Sequence, residues 1–244
     1  MNYKLTIQYD GSRYDGWQKQ GNTDNTIQGR LEAVLSRLAG EPVEVHGAGR
    51  TDAGVHAEGQ VANVKLPGNR PASEVKAYLN QYLPEDIAVV DAEEVDDRFH
   101  ARLSAKGKVY RYEMRLGDTP DVFRRKYQYR VEETLDVENM RAAAEKLCGT
   151  HDFRAFCANK RYKKSTVRTV HSIRMEQVGV NLTLTYHGDG FLYNMVRVLT
   201  GTLIEVGRGL RTPEEMPEIL ASLDRMKAGK TAPAQGLCLE KVEY

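Results

Sequence analysis

His46-Gly47-Ala48-Gly49-Arg50-Thr51-Asp52-Ala53-Gly54-Val55-His56-Ala57-Glu58-Gly59-Gln60-Val61-Ala62-Asn63-Val64 is the stretch on which the reading of this chain turns. A short strand-like run, Pro42 to Val45, leads into it. Gly47, Gly49 and Gly54 surround one arginine, Arg50, and one aspartate, Asp52. Glycine permits positive φ and lets another chain approach closely, so this loop is shaped for a purpose. From Val55 the alternation Val55, Ala57, Gly59, Val61 predicts a strand with one buried face. Asp52 is therefore expected on a tight loop between two strands, where reactive side chains are often displayed. A purely structural turn is the alternative. Two phosphate-binding fingerprints are excluded. A dinucleotide site needs G-x-G-x-x-G opening a helix, whereas here the third glycine falls too late and the loop enters a strand. A P-loop needs G-K-[ST], which is absent.

The chain has 244 residues, with 35 Lys and Arg against 34 Asp and Glu. That length suits one large domain or two small ones. A net charge near zero leaves nucleic acid open as a partner, because binding depends on where charge clusters. Cys148, Cys157 and Cys238 lie far apart with no C-x-x-C pair, so neither a disulfide framework nor a zinc site is expected. A reducing, cytoplasmic setting follows. The N-terminus enters a strand pattern at once, and no apolar run suits a signal region or a membrane span.

Tyr3 to Tyr9 alternates and predicts a first strand. Asp10 to Gly21 is a Gly-rich polar loop carrying Arg13, Tyr14, Trp17 and Gln18, with Trp17 either capping the core edge or facing RNA. Thr26 to Leu38 has a helical apolar stripe. After the central stretch, Ser73 to Leu83 predicts a helix with Ser73 as a possible N-cap. Ile87 to Val90 reads as a strand and Asp91 to Asp97 as an acidic solvated stretch. Val109 to Met114 is a strand, Asp118 to Arg130 a basic loop, and Val137 to Leu147 a helix closed by Gly149. Val167 to Glu176 and Leu182 to Tyr186 suggest a hairpin. Gly190 to Val206 predicts an apolar helix, Pro213 to Leu223 a shorter amphipathic one, and Leu237 to Val242 a last strand. Both halves read β-α-β-β-α-β, the second with insertions. The expected fold class is α+β: two pseudo-duplicated halves, 1-104 and 105-244, with mostly antiparallel sheets merging around a central catalytic cleft.

Arg197 is the only permanent charge between Gly190 and Ile204. A cation on an apolar helix is costly unless paired, so a buried, paired arginine is expected, with Asp52 as its partner. Such a pair keeps the aspartate ionised and aimed. Tyr110 and Tyr112 share one face of their strand, with Arg111 on the other. A tyrosine there can pack in a core, stack on a base or move a proton. The basic loops Arg124 to Arg130 and Lys160 to Lys164 interleave cations with Tyr127, Tyr129 and Tyr162, a pattern that suits RNA phosphates and unstacked bases. Candidate RNA contacts are Arg13, Trp17, Gln18, Arg50, Tyr110, Arg111, Lys160, Arg161, Lys163 and Lys164. The six histidines show no ligand spacing, so no metal is expected. One loop carboxylate, one arginine, a tyrosine strand and basic loops fit acid–base or nucleophilic chemistry on RNA without fixing the reaction. A non-catalytic RNA-binding protein and an RNA glycosylase remain alternatives at this point.

G-A-G-R-T-D-A-G-V-H-A at Gly47 to Ala57 resembles the signature of the TruA family of tRNA pseudouridine synthases. The likeness extends along the chain: Y-D-G-S-R-Y-D-G-W-Q-K-Q from Tyr9, F-H-A-R from Phe99, K-V-Y-R-Y from Lys108, G-F-L-Y-N-M-V-R from Gly190 and A-P-A-Q-G-L from Ala232. The resemblance implies the pseudouridine synthase fold and isomerisation of uridine to pseudouridine in the anticodon stem-loop, at tRNA positions 38, 39 and 40. It implies a homodimer whose clefts bind tRNA, and no cofactor. It makes Asp52 the nucleophile, Tyr110 the residue stacked on the target base and its proton acceptor, and Arg50 and Arg197 supporting groups.

Overall fold

Alternation along Asn2–Tyr9 seats Tyr3, Leu5, Ile7 and Tyr9 in the core, and this strand, β1, has a strand on either side of it. The computed structural model describes residues 1–21, 23–159 and 161–244. They divide into two compact units, Met1–Lys106 with Cys238–Tyr244, and Gly107–Leu237.

In the first unit β1 is followed by α1 (Ile27–Ala39), β2 (Val45–Gly47), β3 (His56–Lys65), α2 (Ala72–Tyr82) and β4 (Ile87–Val95). β1 pairs antiparallel with β3 on one side and β4 on the other. The other edge of β3 is shared. β2 pairs with its Ala62–Val64 part. The last strand of the chain, β10 (Leu237–Glu243), runs parallel to its start, Cys238 opposite His56 and Leu239 opposite Ala57. Helix α1 begins where Thr26 Oγ1 accepts the Gly29 N–H at 3.2 Å, and it ends at Gly40 in the left-handed region.

Three expectations shift here. β2 starts at Val45 rather than Pro42, since proline has no N–H to give a ladder and the Val43 N–H is taken by Ser36 Oγ at 3.1 Å. Ser73 lies inside α2; Pro71 occupies the cap position and its carbonyl accepts from Glu74 and Val75. β4 continues to Val95, through the acidic stretch read as solvated. Lys4 faces Glu93 across the β1–β4 pair and bonds it at 2.7 Å, so the acids occupy the exposed side of a strand.

The second unit contains β5 (Gly107–Leu116), β6 (Tyr129–Val131), α3 (Val137–Leu147), β7 (Gly149–Asp152), β8 (Val167–Val178), β9 (Asn181–Gly188), α4 (Met195–Gly207) and α5 (Glu215–Ser222). Its sheet runs β5-β9-β8-β7, antiparallel throughout, with β6 parallel to the end of β5. The β8–β9 hairpin turns through Gly179 and Val180, closed by Val178 opposite Asn181. Asp136 caps α3 by accepting the Asn139 N–H at 3.0 Å. α3 packs on β8, α4 and α5. Element order is β-β-α-β-β-β-α-α here, against β-α-β-β-α-β in the first unit. The apolar helix expected from Gly190 starts only at Met195, because Asn194 sits in the left-handed region at φ 58° and breaks the helical run before it. α5 likewise covers only the middle of the expected 213–223 segment. The fold is thus mixed α and β with mostly antiparallel strand pairing. Among the described residues no helix is long and apolar enough to cross a membrane.

Candidate active site

The loop between β2 and β3 that carries Asp52 is fixed on two sides. Ala48 N–H donates to Val61 O at 2.7 Å, and Val55 N–H to Asp52 O at 3.1 Å. The Asp10–Gly21 loop locks against it. Trp17 N–H donates to Thr51 O at 3.0 Å, and Gly54 N–H to Tyr14 O at 3.3 Å. Gly47 is glycine for space, since a Cβ there would lie 2.5 Å from the Trp17 ring. Gly54 is glycine for conformation, with φ at +78°. Asp52 itself is half-buried.

Beneath this loop lie three buried polar side chains, Tyr9, Thr51 and Gln60. The Tyr9 phenol and the Thr51 hydroxyl share a hydrogen bond of 2.8 Å. Gln60 Nε2 donates to Gly49 O at 3.0 Å and to the Tyr9 phenol oxygen at 3.4 Å. Burial pushes the Tyr9 phenol far above its ordinary pKa, so it keeps its proton. None of these interactions was legible as a site in the sequence. Gln60 stands just before the Val61-Ala62 run of β3, which is the visible signal for it.

In the second unit Tyr110 and Tyr112 share the buried face of β5, as the alternation predicts. Tyr110 is 7% exposed and meets the Phe191 ring edge-on, centroids 5.4 Å apart. The Tyr112 hydroxyl donates to Pro233 O at 2.8 Å. Burial raises the Tyr112 phenol well above its usual value, while the Arg197 charge pulls the other way. Arg197 stands on the first turn of α4 and is half-buried, not the fully buried cation expected. Its Nε donates to Ala232 O at 2.8 Å and its Nη1 to Asn194 Oδ1 at 2.9 Å. Its own carbonyl accepts the Ala232 N–H at 3.0 Å. Arg197 therefore holds the Ala232–Pro233 stretch with both backbone and side chain. The physical reason for its partial exposure is its position at a helix start, where neutral oxygens are within reach.

The other candidate RNA contacts divide into three groups. Trp17, expected either to cap the core edge or to face RNA, is 2% exposed and packs against Gly47. Arg13 is exposed and bonds Asp86 at 2.6 Å, and the carboxylate also accepts the Tyr14 hydroxyl at 2.5 Å. Burial and then Asp86 push the Tyr14 phenol up to about 12. Arg111 bonds Glu113 at 3.0 Å, and Arg124 bonds the same carboxylate at 2.5 Å. Arg50 is exposed, with its Nε donating to Gln18 Oε1 at 3.0 Å. Arg161, Lys163 and Lys164 are exposed on the loop before β8. Lys160 lies outside the described residues. Among the described residues no three His, Cys, Asp or Glu side chains gather as a metal site.

A family model described as tRNA pseudouridine synthase matches residues 5–103 and 143–244. The chain belongs to the tRNA pseudouridine synthase family. Asp52 and Arg197 fall within the matched segments of the family model, and Tyr110 falls between them. Full-length relatives bridge that gap. A tRNA pseudouridine synthase A from Bacillus sp. (strain KSM-64) is 52% identical over 243 residues, covering 100% of this chain and 99% of that protein. A tRNA pseudouridine synthase A from Brevibacillus brevis is 47% identical over 99% of this chain and 98% of its own length. A tRNA pseudouridine synthase A 2 from Clostridium perfringens is 46% identical over 100% of this chain and 99% of its own.

Proposed function

We infer that this family member isomerises uridine to pseudouridine in tRNA, and that its targets are positions 38, 39 and 40 of the anticodon stem-loop. The observation that carries the reading is full-length similarity, at about half identity, to proteins named tRNA pseudouridine synthase A. The reaction detaches uracil from N1, rotates it and rejoins it through C5. The base first leaves its stack, which costs a few kcal/mol. Asp52 is the nucleophile. Its loop is pinned by the Thr51 and Gly54 backbone bonds, which suits a group that must be aimed before reaction. Tyr110 stacks on the uracil and accepts the proton released from C5. Arg50 and Arg197 are supporting groups for this chemistry. Water must be excluded, because a detached base and water together give glycosidic hydrolysis. The exposed cations Arg161, Lys163 and Lys164 bind phosphates, which suits recognition by shape across three neighbouring positions. The two units are read as versions of one β-α-β-β-α-β plan. The working form is a cytoplasmic homodimer that needs no cofactor.

The test is pseudouridine mapping on tRNA incubated with the parent protein and with Asp52→Asn. The parent should convert uridines at positions 38 to 40, and Asp52→Asn should bind tRNA but convert none. Free uracil as the product would indicate a glycosylase. Tight tRNA binding with no changed nucleotide would indicate a binding protein.

A further inference from the structure

We propose that Tyr9, Thr51 and Gln60 form a buried lever that sets the orientation of Asp52, making all three positioning residues for the isomerisation. The inference rests on the reading of Asp52 as nucleophile. Its geometry is independent of that reading. β1 and β3 lose register between Ile7 and Tyr9, opposite the Gln60 and Ala57 positions of β3. A bulge re-aims side chains, and Tyr9, paired with Ala57 just past the irregularity, sends its hydroxyl to the loop. Its hydroxyl meets Thr51 Oγ1 at 2.8 Å, one residue from Asp52. Gln60, 0% exposed, reaches Gly49 O at 3.0 Å on the other side of Arg50. Its Oε1 accepts the Val61 N–H at 3.1 Å, which fixes the amide orientation so that Nε2 faces the loop. The loop is thus held at Gly49 and at Thr51 by side chains that share a partner, the Tyr9 hydroxyl, bonded to Thr51 at 2.8 Å and to Gln60 at 3.4 Å.

A core of this kind is usually built from apolar groups. Each oxygen or nitrogen here is buried and satisfied, so removing one leaves its neighbours unpaired and the loop free to relax. A shift of about 1 Å in a reacting group can cost about 100-fold in rate. The lever is buried and bonds no basic loop side chain described above, so its effect should fall on the chemical step and spare binding.

The experiment measures single-turnover conversion and tRNA affinity for Tyr9→Phe, Thr51→Val and Thr51→Ser, with Asp52→Asn as the reference. Melting temperatures are recorded for all four. Tyr9→Phe and Thr51→Val should each slow conversion by about 10- to 100-fold, with tRNA Kd within about twofold of the parent. Thr51→Ser keeps the hydroxyl and should run near the parent rate, a rescue that bulk packing would not produce. Folded Tyr9→Phe and Thr51→Val proteins with parent rates would overturn the proposal. Equal losses in Thr51→Ser and Thr51→Val would do the same. If Tyr9→Phe does not fold, the two Thr51 variants decide. If Thr51→Val also fails to fold, the hydroxyls belong to the fold and the proposal falls. An active Asp52→Asn would instead sink the nucleophile reading on which the lever depends.

Discussion

Tyr110 and Arg197 differ in how tightly the fold holds them. The Tyr110 ring is nearly enclosed, edge-on to Phe191. Tyr110→Phe keeps the ring contact and deletes the oxygen. Single-turnover conversion is expected to fall by about 10²- to 10⁴-fold, the range of positioned proton transfer, with tRNA affinity unchanged. A parent-like rate would reduce Tyr110 to a stacking platform. Arg197 has structural work through Ala232 O and Asn194 Oδ1, so its loss should lower stability whether or not it meets Asp52. A double-mutant cycle separates the two roles. Asp52→Asn and Arg197→Met should be non-additive in urea unfolding by about 0.5–3 kcal/mol if they pair. Additive effects would confine Arg197 to the clasp. The Asp52 loop was legible because its glycines and its lone carboxylate stand together in sequence. The Arg197 partners were not. Asn194 reads as a helix interior residue until its left-handed φ is seen, and Ala232 is 35 residues away.

The bounds of α1, α2 and α3 lie within one residue of those expected, and the start of α4 does not. Thr26 and Asp136 announce α1 and α3, whose bounds the sequence placed closely. α4 has no capping side chain, and the apolar residues Phe191 and Leu192 extend the pattern ahead of its true start. The acidic end of β4 was missed because its strand identity comes from pairing with β1, not from alternation. α4 also anchors the segment after α5. Glu205 accepts the Lys230 N–H at 3.0 Å and bonds Arg211 Nε at 2.6 Å. Burial alone would raise its pKa, but the Arg211 bond and then the Lys230 N–H outweigh it and hold the carboxyl below the ordinary 4.5. A depressed folded pKa gives stability that is present above the ordinary value and lost as pH falls through the folded one. Glu205→Gln should therefore unfold more easily at neutral pH, by about 1–2 kcal/mol. The gap to the parent should close below about pH 4. A gap that persists unchanged at pH 3 would mean the charge plays no part.

Across the whole molecule, net charge says little, because many cations already face a carboxylate. Arg13, Lys19, Arg111, Arg124 and Arg130 each bond an Asp or Glu, whereas Arg161, Lys163 and Lys164 stand exposed before β8. Replacing two of the latter by glutamine should flatten the dependence of log Kobs on log salt by about 0.7–0.9 per lost phosphate contact. An unchanged slope would move the RNA grip elsewhere. The sequence showed two halves but could not show that the first unit is finished by the last strand. β10 returns after the entire second unit to pair with His56 and Ala57, immediately beyond the Asp52 loop. A ribosome delivers those residues only after the whole second unit. Until they emerge, the start of β3 lacks its parallel neighbour, and the first unit waits on a long-range pairing, the slow kind. Ribosome-bound chains stalled before Cys238 should thus be cut by trypsin after Arg50, and chains released with β10 should resist. Protection of Arg50 in the stalled chains would show that the nascent first unit closes without its final strand.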